Sequence, residues 1–130
     1  MRHAPGQVLV ETALALPLLI GCSLGALQVV LYAHAHDVLV TAAQAGARLA
    51  AEDGRSLDEG YARTLEIANA GLGASANPIH MLAAADAELV EMRVDAVLHP
   101  VLPLPVGDGL PIHVLSRVAR ERFRPGGGVR

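Results

Sequence analysis

The sequence predicts an α+β protein. It should have a long N-terminal helix, a second short helix, and a small antiparallel β-hairpin or sheet packed on the first helix. Three observations lead to this prediction. Residues 12–35 form an apolar run without Asp, Glu, Lys or Arg. Residues 56–59, Ser-Leu-Asp-Glu, form a capping box that opens a helix. Residues 90–98 alternate between apolar and polar side chains, which is typical of a half-buried strand.

The apolar run is long enough to cross a membrane as a helix. Its 24 residues, 12–35, would extend for about 36 Å at about 1.5 Å per residue, whereas a hydrocarbon core is about 30 Å thick. Pro17 lies inside the run. Because a carbonyl freed by proline can be satisfied locally in a membrane helix, Pro17 predicts a bend rather than an end.

The first helix is expected to continue beyond the membrane. Ala-rich residues 41–51 favour helix, and Gly54 is placed to end it. Residues 7–53 would then form one rod, with a transmembrane half and a protruding half. Its apolar stripe at helical spacing consists of Val38, Ala42, Ala45 and Leu49.

The second helix is predicted to begin at the capping box and to end near Gly71 and Gly73. Asn77-Pro78 then predicts a turn. The apolar stripe of this helix should consist of Leu57, Tyr61, Leu65 and Ala68.

Two strands are predicted in the last third of the chain. They should pair as an antiparallel hairpin, and the connection between them, residues 99–111, contains four prolines and two glycines. The inward face of the first strand should carry Val90, Met92, Val94, Ala96 and Leu98, and that of the second should carry Ile112, Val114, Ser116 and Val118.

Composition points away from an enzyme and from a nucleic-acid-binding protein. The formal net charge is -3, which does not favour contact with nucleic acid. The 6 histidines lack the spacing of metal ligands, and no Ser/His/Asp or Cys/His arrangement is evident. Cys22 is the single cysteine, so no intrachain disulfide is possible. We expect no catalytic, cofactor-binding or metal-binding residues.

Two blocks of sequence carry a resemblance to a known family. The first is residues 6–19, GQVLVETALALPLL, and the second is residues 42–51, AAQAGARLAA. In this order and spacing they resemble TadE-like proteins, the minor pilin-like components of tight-adherence (Flp-type) pilus systems. Residues 116–121 are also similar to the end of such chains. The resemblance implies a pilin-like fold and a protein that assists pilus assembly or joins the pilus as a minor subunit.

The resemblance also implies a processing site. A prepilin peptidase would cut after Gly6 on the cytoplasmic face, Gln7 would become the N-terminus, and Glu11 would be the fifth mature residue. Pro5 and Gly6 are expected to disfavour helix and so to leave an extended peptide for the peptidase. Thr12 stands where Flp-type pilins have an aromatic residue, which argues against a major pilin.

Glu11 has two interpretations. After cleavage, its carboxylate and the amine of Gln7 would be about one helical turn apart, so Glu11 could pair with its own amine or with that of a neighbouring subunit. Alternatively, Glu11 only marks the interfacial start of a membrane helix. A separate motif, Gly21 and Gly25 in G-x-x-x-G spacing, predicts a face for homo- or heterodimeric helix pairing.

These expectations give a division into a leader peptide (1–6), a transmembrane helix (7–36) and an extracytoplasmic α+β region (37–130). The protein would cross the cytoplasmic membrane once, with its N-terminus in the cytoplasm and its C-terminal region outside or at the cell surface. Its partners would be other pilin-like subunits, the assembly platform, the prepilin peptidase and the membrane.

Two other functions stay open at this point. The chain would be an uncleaved, membrane-anchored binding module if Gly6 is not a cleavage site. It would be a small secreted domain if residues 33–35, Ala-His-Ala, are a signal-peptide cleavage site. Signal-peptide cores run for about 7–15 residues, which is shorter than this apolar run.

Overall fold

A computed structural model describes residues 5–100 and 109–120 of the chain, apart from the side chains of residues 5, 7 and 74. It has the predicted α+β class, because two helices precede a three-stranded antiparallel sheet that packs on the first helix. A short 3-10 turn, Gly73–Ser75, joins the second helix to the sheet. In chain order the elements are α1 (Pro5–Ala51), α2 (Leu57–Leu72), β1 (Ala76–Ala85), β2 (Leu89–Leu98) and β3 (Leu110–Ala119).

The first helix, α1, is a single element of 47 residues, about 70 Å long at about 1.5 Å per residue. Pro17 lies inside it and does not end it, as predicted. The helix stops at Ala51, and Gly54 in the following turn has a φ of 78°, which only glycine adopts without steric cost. The predicted rod is confirmed, with each end two residues earlier than expected.

The C-terminal half of α1 is buried on two sides. One side contacts α2 and the other contacts β2 and β3. The predicted stripe is therefore mostly wrong: Ala42 is fully buried, but the other three residues are only partly buried. A single-stripe pattern does not describe a helix that has two partners. The fully buried apolar residues of α1 are Ala35, Leu39, Ala42, Ala43, Ala47, Ala50 and Ala51.

The capping box at the start of α2 is confirmed. The backbone N–H of Glu59 donates to the Ser56 hydroxyl at 3.2 Å, and the backbone N–H of Ser56 donates to the Glu59 carboxylate at 3.1 Å. At the other end, α2 stops at Leu72 and Gly73 is its C-cap. Gly71, which was expected to end the helix, therefore belongs to its last turn.

The buried face of α2 differs from the predicted one. Tyr61 is exposed, and Leu57 and Leu65 are only partly buried. The prediction is correct for Ala68, which is fully buried, and wrong for the three larger residues, because the close approach of α1 and α2 requires small ones. The buried residues of α2 are Gly60, Thr64, Ala68 and Leu72.

The predicted pair of antiparallel strands is confirmed in β2 and β3. Val94 of β2 faces Val114 of β3 in the register, and the even-numbered residues of β2 from 90 to 98 are all buried, as expected. β3 begins at Leu110, so it includes the last part of the segment that was predicted as a connection. Residues 101–108 of that connection lie outside the described residues.

The third strand, β1, was not predicted. It pairs antiparallel with β2, and a register shift lies between Ala76 and Ile79. The turn predicted at Asn77-Pro78 is therefore wrong, since these residues lie inside an edge strand. The sequence of β1, ANPIHMLAAA, has one β-branched residue and no aromatic residue. Its local strand propensity is low, and pairing with β2 determines its structure.

The α2 helix and the strands run alongside α1, so the packed region has two ends. At one end, the Tyr32 hydroxyl of α1 donates a hydrogen bond to the carbonyl oxygen of Pro111 in β3 at 3.4 Å. Leu31, Leu72 and Leu98 line a small cavity of about 110 Å³ at the same end. This end, which contains the end of α2, the end of β2 and the start of β3, is termed the near end.

The opposite end lies beside the C-terminus of α1. Ala50 and Ala51 form a buried cluster there with Val90 at the start of β2. The partly buried residues packed against this cluster are Leu57, Ala85 and Val118. This end, which contains the α1–α2 turn, the β1–β2 turn and the end of β3, is termed the far end. α2 and β2 therefore run toward the near end, and β3 runs away from it.

Candidate membrane-anchoring and assembly surface

Residues 8–23 of α1 form a largely apolar surface, and every one of them is exposed. Leu14 and Leu18, for example, keep 73% and 70% of their surface exposed. An 18-residue window of α1 has a mean hydropathy of 2.2 and is only 6% buried. A helix in the core of a soluble protein would be mostly buried instead. α1 is thus the one helix among the described residues that is long and apolar enough to cross a membrane.

Glu11 lies on this exposed surface, two turns from the start of α1. It borders a shallow, mostly apolar groove that runs along the helix and is lined by Val8, Glu11, Thr12, Ala15, Leu16, Leu18, Leu19 and Cys22. Within the described residues, Glu11 has no salt-bridge partner. A carboxylate in an apolar surface is costly unless it is paired. This position therefore favours a partner from outside the chain or the N-terminal amine.

Gly6 and Gln7 lie in the first turn of α1. The prediction that Pro5 and Gly6 keep this segment extended is wrong for the backbone that the structure describes. Proline fits the first position of a helix, because its missing N–H would have no partner there and its φ is already helical. Gly6 is exposed. Since the first turn of a helix lacks the stabilisation of the interior, opening it costs little.

Gly21 and Gly25 face open space. A Cβ atom placed on either glycine would have no neighbouring atom within 4 Å. No described residue contacts a side chain placed at these two glycines, and the prediction that this G-x-x-x-G surface pairs with another helix stays a prediction.

The glycine contact inside the domain was not predicted. Gly46 of α1 and Gly60 of α2 face each other, and a Cβ on Gly46 would lie 2.5 Å from the carbonyl oxygen of Gly60. The buried Thr64 hydroxyl donates to this same carbonyl oxygen at 2.9 Å. The two helix backbones therefore approach closely at this point, which fixes α2 on the protruding half of α1. The four-residue spacing of the small residues Gly60 and Thr64 is the sequence signal from which this helix contact could have been predicted.

A groove lined by both polar and apolar residues lies between α1 and α2 on the outside of the domain. It has a volume of about 640 Å³ and is open to solvent on one side. Arg63 and Glu66 form an ion pair in it at 2.8 Å. Across the described residues, no group of three or more His, Cys, Asp or Glu side chains is arranged to hold a metal ion.

The outer face of the sheet carries cross-strand ion pairs. Arg117 of β3 donates to Glu91 of β2 at 2.8 Å, and His113 Nδ1 lies 2.7 Å from Asp95 Oδ1. The hydrogen bond with His113 and the nearby Arg93 guanidinium lower the pKa of Asp95, against the smaller opposing effect of burial. These contacts hold the register of β2 and β3.

Comparison with known proteins gives one match. The family described as TadE-like protein matches residues 6–48. No curated protein matches the chain, and no solved structure matches it. The matched region starts at Gly6, contains Glu11, Gly21 and Gly25, and ends three residues before the end of α1. The match, together with the exposed apolar helix, supports the predicted resemblance, and residues 6–48 of this chain form a TadE-like family domain.

Proposed function

We propose that this chain is a minor pilin-like membrane protein that assists the assembly of a tight-adherence (Flp-type) pilus or of the related secretion machinery. One observation carries the proposal: the TadE-like region is a single helix whose first half is exposed and apolar, with Glu11 near its start. The second half of the same helix is the centre of a packed α+β domain. The family itself suggests only a protein associated with the Tad pilus.

The proposed topology follows from this arrangement. The first half of α1 crosses the cytoplasmic membrane, the segment before it stays in the cytoplasm, and the α+β domain lies outside. Glu11 is then near the cytoplasmic edge of the bilayer. A charge at the bilayer centre costs about 2.5–3.5 kcal/mol on insertion scales, and the cost is lower near the edge. Pairing with an amine reduces that cost further.

The proposed role of Glu11 is to pair with an N-terminal amine. Cleavage after Gly6 by a prepilin peptidase would create this amine on Gln7, about one helical turn from Glu11. Pairing within one chain would neutralise both charges, and pairing between chains would set the axial position of one subunit against the next. Other pilin-like subunits, the assembly platform and the peptidase are the proposed partners.

The packing of α1 argues against a secreted domain. Signal-peptide cleavage after Ala35 would remove Tyr32, which donates to Pro111, and Ala35 itself, which is buried in the core. It would also remove Leu31 from the near-end cavity. The domain would lose part of its core at the cut. The uncleaved, membrane-anchored module requires no such loss, and it is the competing function.

The mature N-terminus distinguishes these functions. Mass spectrometry of the full chain, purified from a host that carries a prepilin peptidase, should give a first residue of Gln7. An intact Met1 in that host would favour the anchored module, and a start at His36 would mean secretion. As a matched control, the Gly6→Leu variant should stay uncleaved in the same host, while Gly25→Leu should be cleaved normally.

The topology has its own test. Protease added to spheroplasts should remove a tag from the C-terminus of the full chain. A cytoplasmic marker protein should stay intact in the same sample. Full protection of the tag would contradict the proposed orientation.

A further inference from the structure

The exposed apolar part of α1 defines where the membrane should end. From Val8 to Val30 the helix rises about 33 Å at about 1.5 Å per residue, which matches a hydrocarbon core about 30 Å thick. Val29 and Val30 keep 68% and 63% of their surface exposed, although Gln28 beside them keeps only 6%, and Ala35 is buried under the domain. If α1 crosses the membrane as proposed above, the outer edge of the hydrocarbon core lies near Val30.

The near end of the domain lies only slightly beyond that edge. Tyr32 is about 3 Å farther along the helix axis than Val30. A bilayer is about 40–45 Å thick including its headgroup regions, so each headgroup layer occupies about 5–8 Å. Because the Tyr32 hydroxyl donates to the carbonyl oxygen of Pro111, the first residues of β3 are fixed near the same height. His99 and Ser75 lie near that height too, because both line the small cavity with Leu31, and the His99 backbone N–H donates to the Ser75 carbonyl oxygen at 3.2 Å.

Charged side chains are distributed unequally between the two ends. Among the described residues, the segments that reach the near end contain no Asp, Glu, Lys or Arg; they are residues 29–36, 67–80, 96–100 and 109–112. The far end is densely charged, with Glu52, Asp53, Arg55, Asp58, Asp86, Glu88 and Arg120 in its turns and strand ends. Within the described residues, an end without Asp, Glu, Lys or Arg next to the membrane and a charged end away from it match the polarity of a lipid–water interface.

We propose that the near end is a second membrane-contact surface that sits in the lipid headgroup layer. This surface consists of Tyr32, Ser75, His99, Pro100 and Pro111. It continues directly from the exposed surface of α1, and Tyr32 is of a residue type enriched at membrane interfaces. The domain therefore rests on the bilayer and does not stand above it on a bare helix. This inference rests on the proposed membrane crossing of α1.

Tryptophan fluorescence can test the depth of each end, because the chain contains no Trp and one introduced Trp is the only indole. The near-end variants are Ser75→Trp and His99→Trp, both at exposed positions. The matched far-end control is Glu88→Trp, also exposed, and Leu19→Trp reports on the membrane helix. Each full chain is reconstituted in phosphatidylethanolamine/phosphatidylglycerol vesicles that contain lipids with a nitroxide either on the headgroup or in the middle of the acyl chain.

The expected quenching pattern has three parts. Leu19→Trp should be quenched mainly by the acyl-chain nitroxide, and both near-end variants mainly by the headgroup nitroxide. Glu88→Trp should be quenched several-fold less by either, because the far end is about 28 Å farther from the membrane along α1, from Tyr32 to Ala51. Two near-end positions are used so that a folding defect in one leaves the other informative, and thermal unfolding of each variant checks its folding.

Two results would overturn the inference, and they have different meanings. Equally weak headgroup quenching of the near-end variants and Glu88→Trp, with Leu19→Trp quenched by the acyl-chain label, would place the whole domain above the membrane. In that case the proposed membrane crossing of α1 would still be supported. Failure of Leu19→Trp to be quenched would remove the membrane crossing and, with it, both this inference and the proposed function.

Discussion

Gly46 and Gly60 bring the backbones of the two helices close together. A Cβ on Gly46 would lie 2.5 Å from the carbonyl oxygen of Gly60, and a Cβ on Gly60 would lie 2.6 Å from the carbonyl oxygen of Gly46. The contact is reciprocal, and these two oxygens belong to the backbone, although the Thr64 hydroxyl and the Ala50 Cβ also obstruct the space. A side chain at either position cannot be accommodated by rotation of a neighbour, so the helices would have to move apart.

The first prediction follows from this contact. Gly46→Ala should destabilise the domain by about 1–3 kcal/mol, the usual cost of overpacking a filled interior, although alanine favours helix by up to about 1 kcal/mol over glycine. Denaturant unfolding of the full chain in detergent measures the change. Gly25→Ala is the matched control, because a Cβ there meets nothing within 4 Å. Equal stability of the two variants would contradict the close helix contact.

The second prediction concerns the capping box. Ser56→Ala removes the hydroxyl that accepts the Glu59 N–H, and it should lower the free energy of unfolding by about 1 kcal/mol. Ser75→Ala, at an exposed serine outside α2, should change it much less. Both are measured by thermal unfolding of the full chain. A Ser56→Ala protein as stable as the Ser75→Ala control would mean that the cap does not stabilise α2.

The third prediction concerns acid stability. The pKa of Asp95 is lowered below its ordinary value of 3.8, chiefly by the hydrogen bond with His113. A lowered folded-state pKa stabilises the fold at pH values above the unfolded-state pKa, and this stabilisation disappears as the pH falls through the folded-state pKa. The window in which Asp95 contributes acid sensitivity therefore lies below about pH 4.

NMR titration of the Asp95 carboxyl carbon tests this effect. His113→Ala should raise the pKa of Asp95 toward its ordinary value. His80→Ala is a matched control, because His80 faces Asp95 from β1 in the register, whereas the hydrogen bond to Asp95 comes from His113. An unchanged pKa in His113→Ala would show that this hydrogen bond is not its main cause.

The fourth prediction concerns Glu11. If its carboxylate pairs with a subunit amine, Glu11→Ala and Glu11→Gln should insert and be cleaved normally but should assemble poorly. A lost pair worth about 1.4 kcal/mol weakens the association about tenfold. Pilus counts and co-purification with other pilin-like subunits give the readout, and Thr12→Ala is the neighbouring control. Normal piliation in both Glu11 variants would leave Glu11 as an interfacial marker and favour the anchored module.

Much of the fold could be predicted because its signals are local. Ser56 and Glu59 determine the start of α2 within four residues, and the alternation from Val90 to Leu98 determines the inward face of β2. β1 and the buried faces of α1 and α2 depend on tertiary contacts. The partner of Ala83 is Met92 on another strand, and the partner of Gly46 is Gly60 on another helix. Periodicity within one segment carries no information about such partners.

The candidate surface was predictable in composition but not in conformation. Residues 6–19 identified an apolar helix with Glu11 near its start, and α1 contains both. The same residues also suggested an extended peptide at Gly6, because the helix-breaking tendencies of proline and glycine were applied without regard to position. At the first turn of a helix proline is favourable.

Because α1 continues unbroken after Pro17, one side of the exposed apolar half of the helix continues as the side that packs against the domain. Gly21, Gly25, Gln28, Ala35, Leu39 and Gly46 are separated by 4, 3, 7, 4 and 7 residues, spacings that keep all six on roughly one side of a helix. Gln28 is buried, and from Ala35 onward that side lies beneath α2 and the sheet. A helix that pairs at Gly21 and Gly25 therefore lies on the side of α1 that carries the domain. A second copy of this chain placed there at the same height would collide with the domain. Only a neighbour that is displaced along the helix axis, or one without such a domain, fits that position. If helices pair at these glycines, the domain therefore favours a staggered arrangement of subunits over a side-by-side pair.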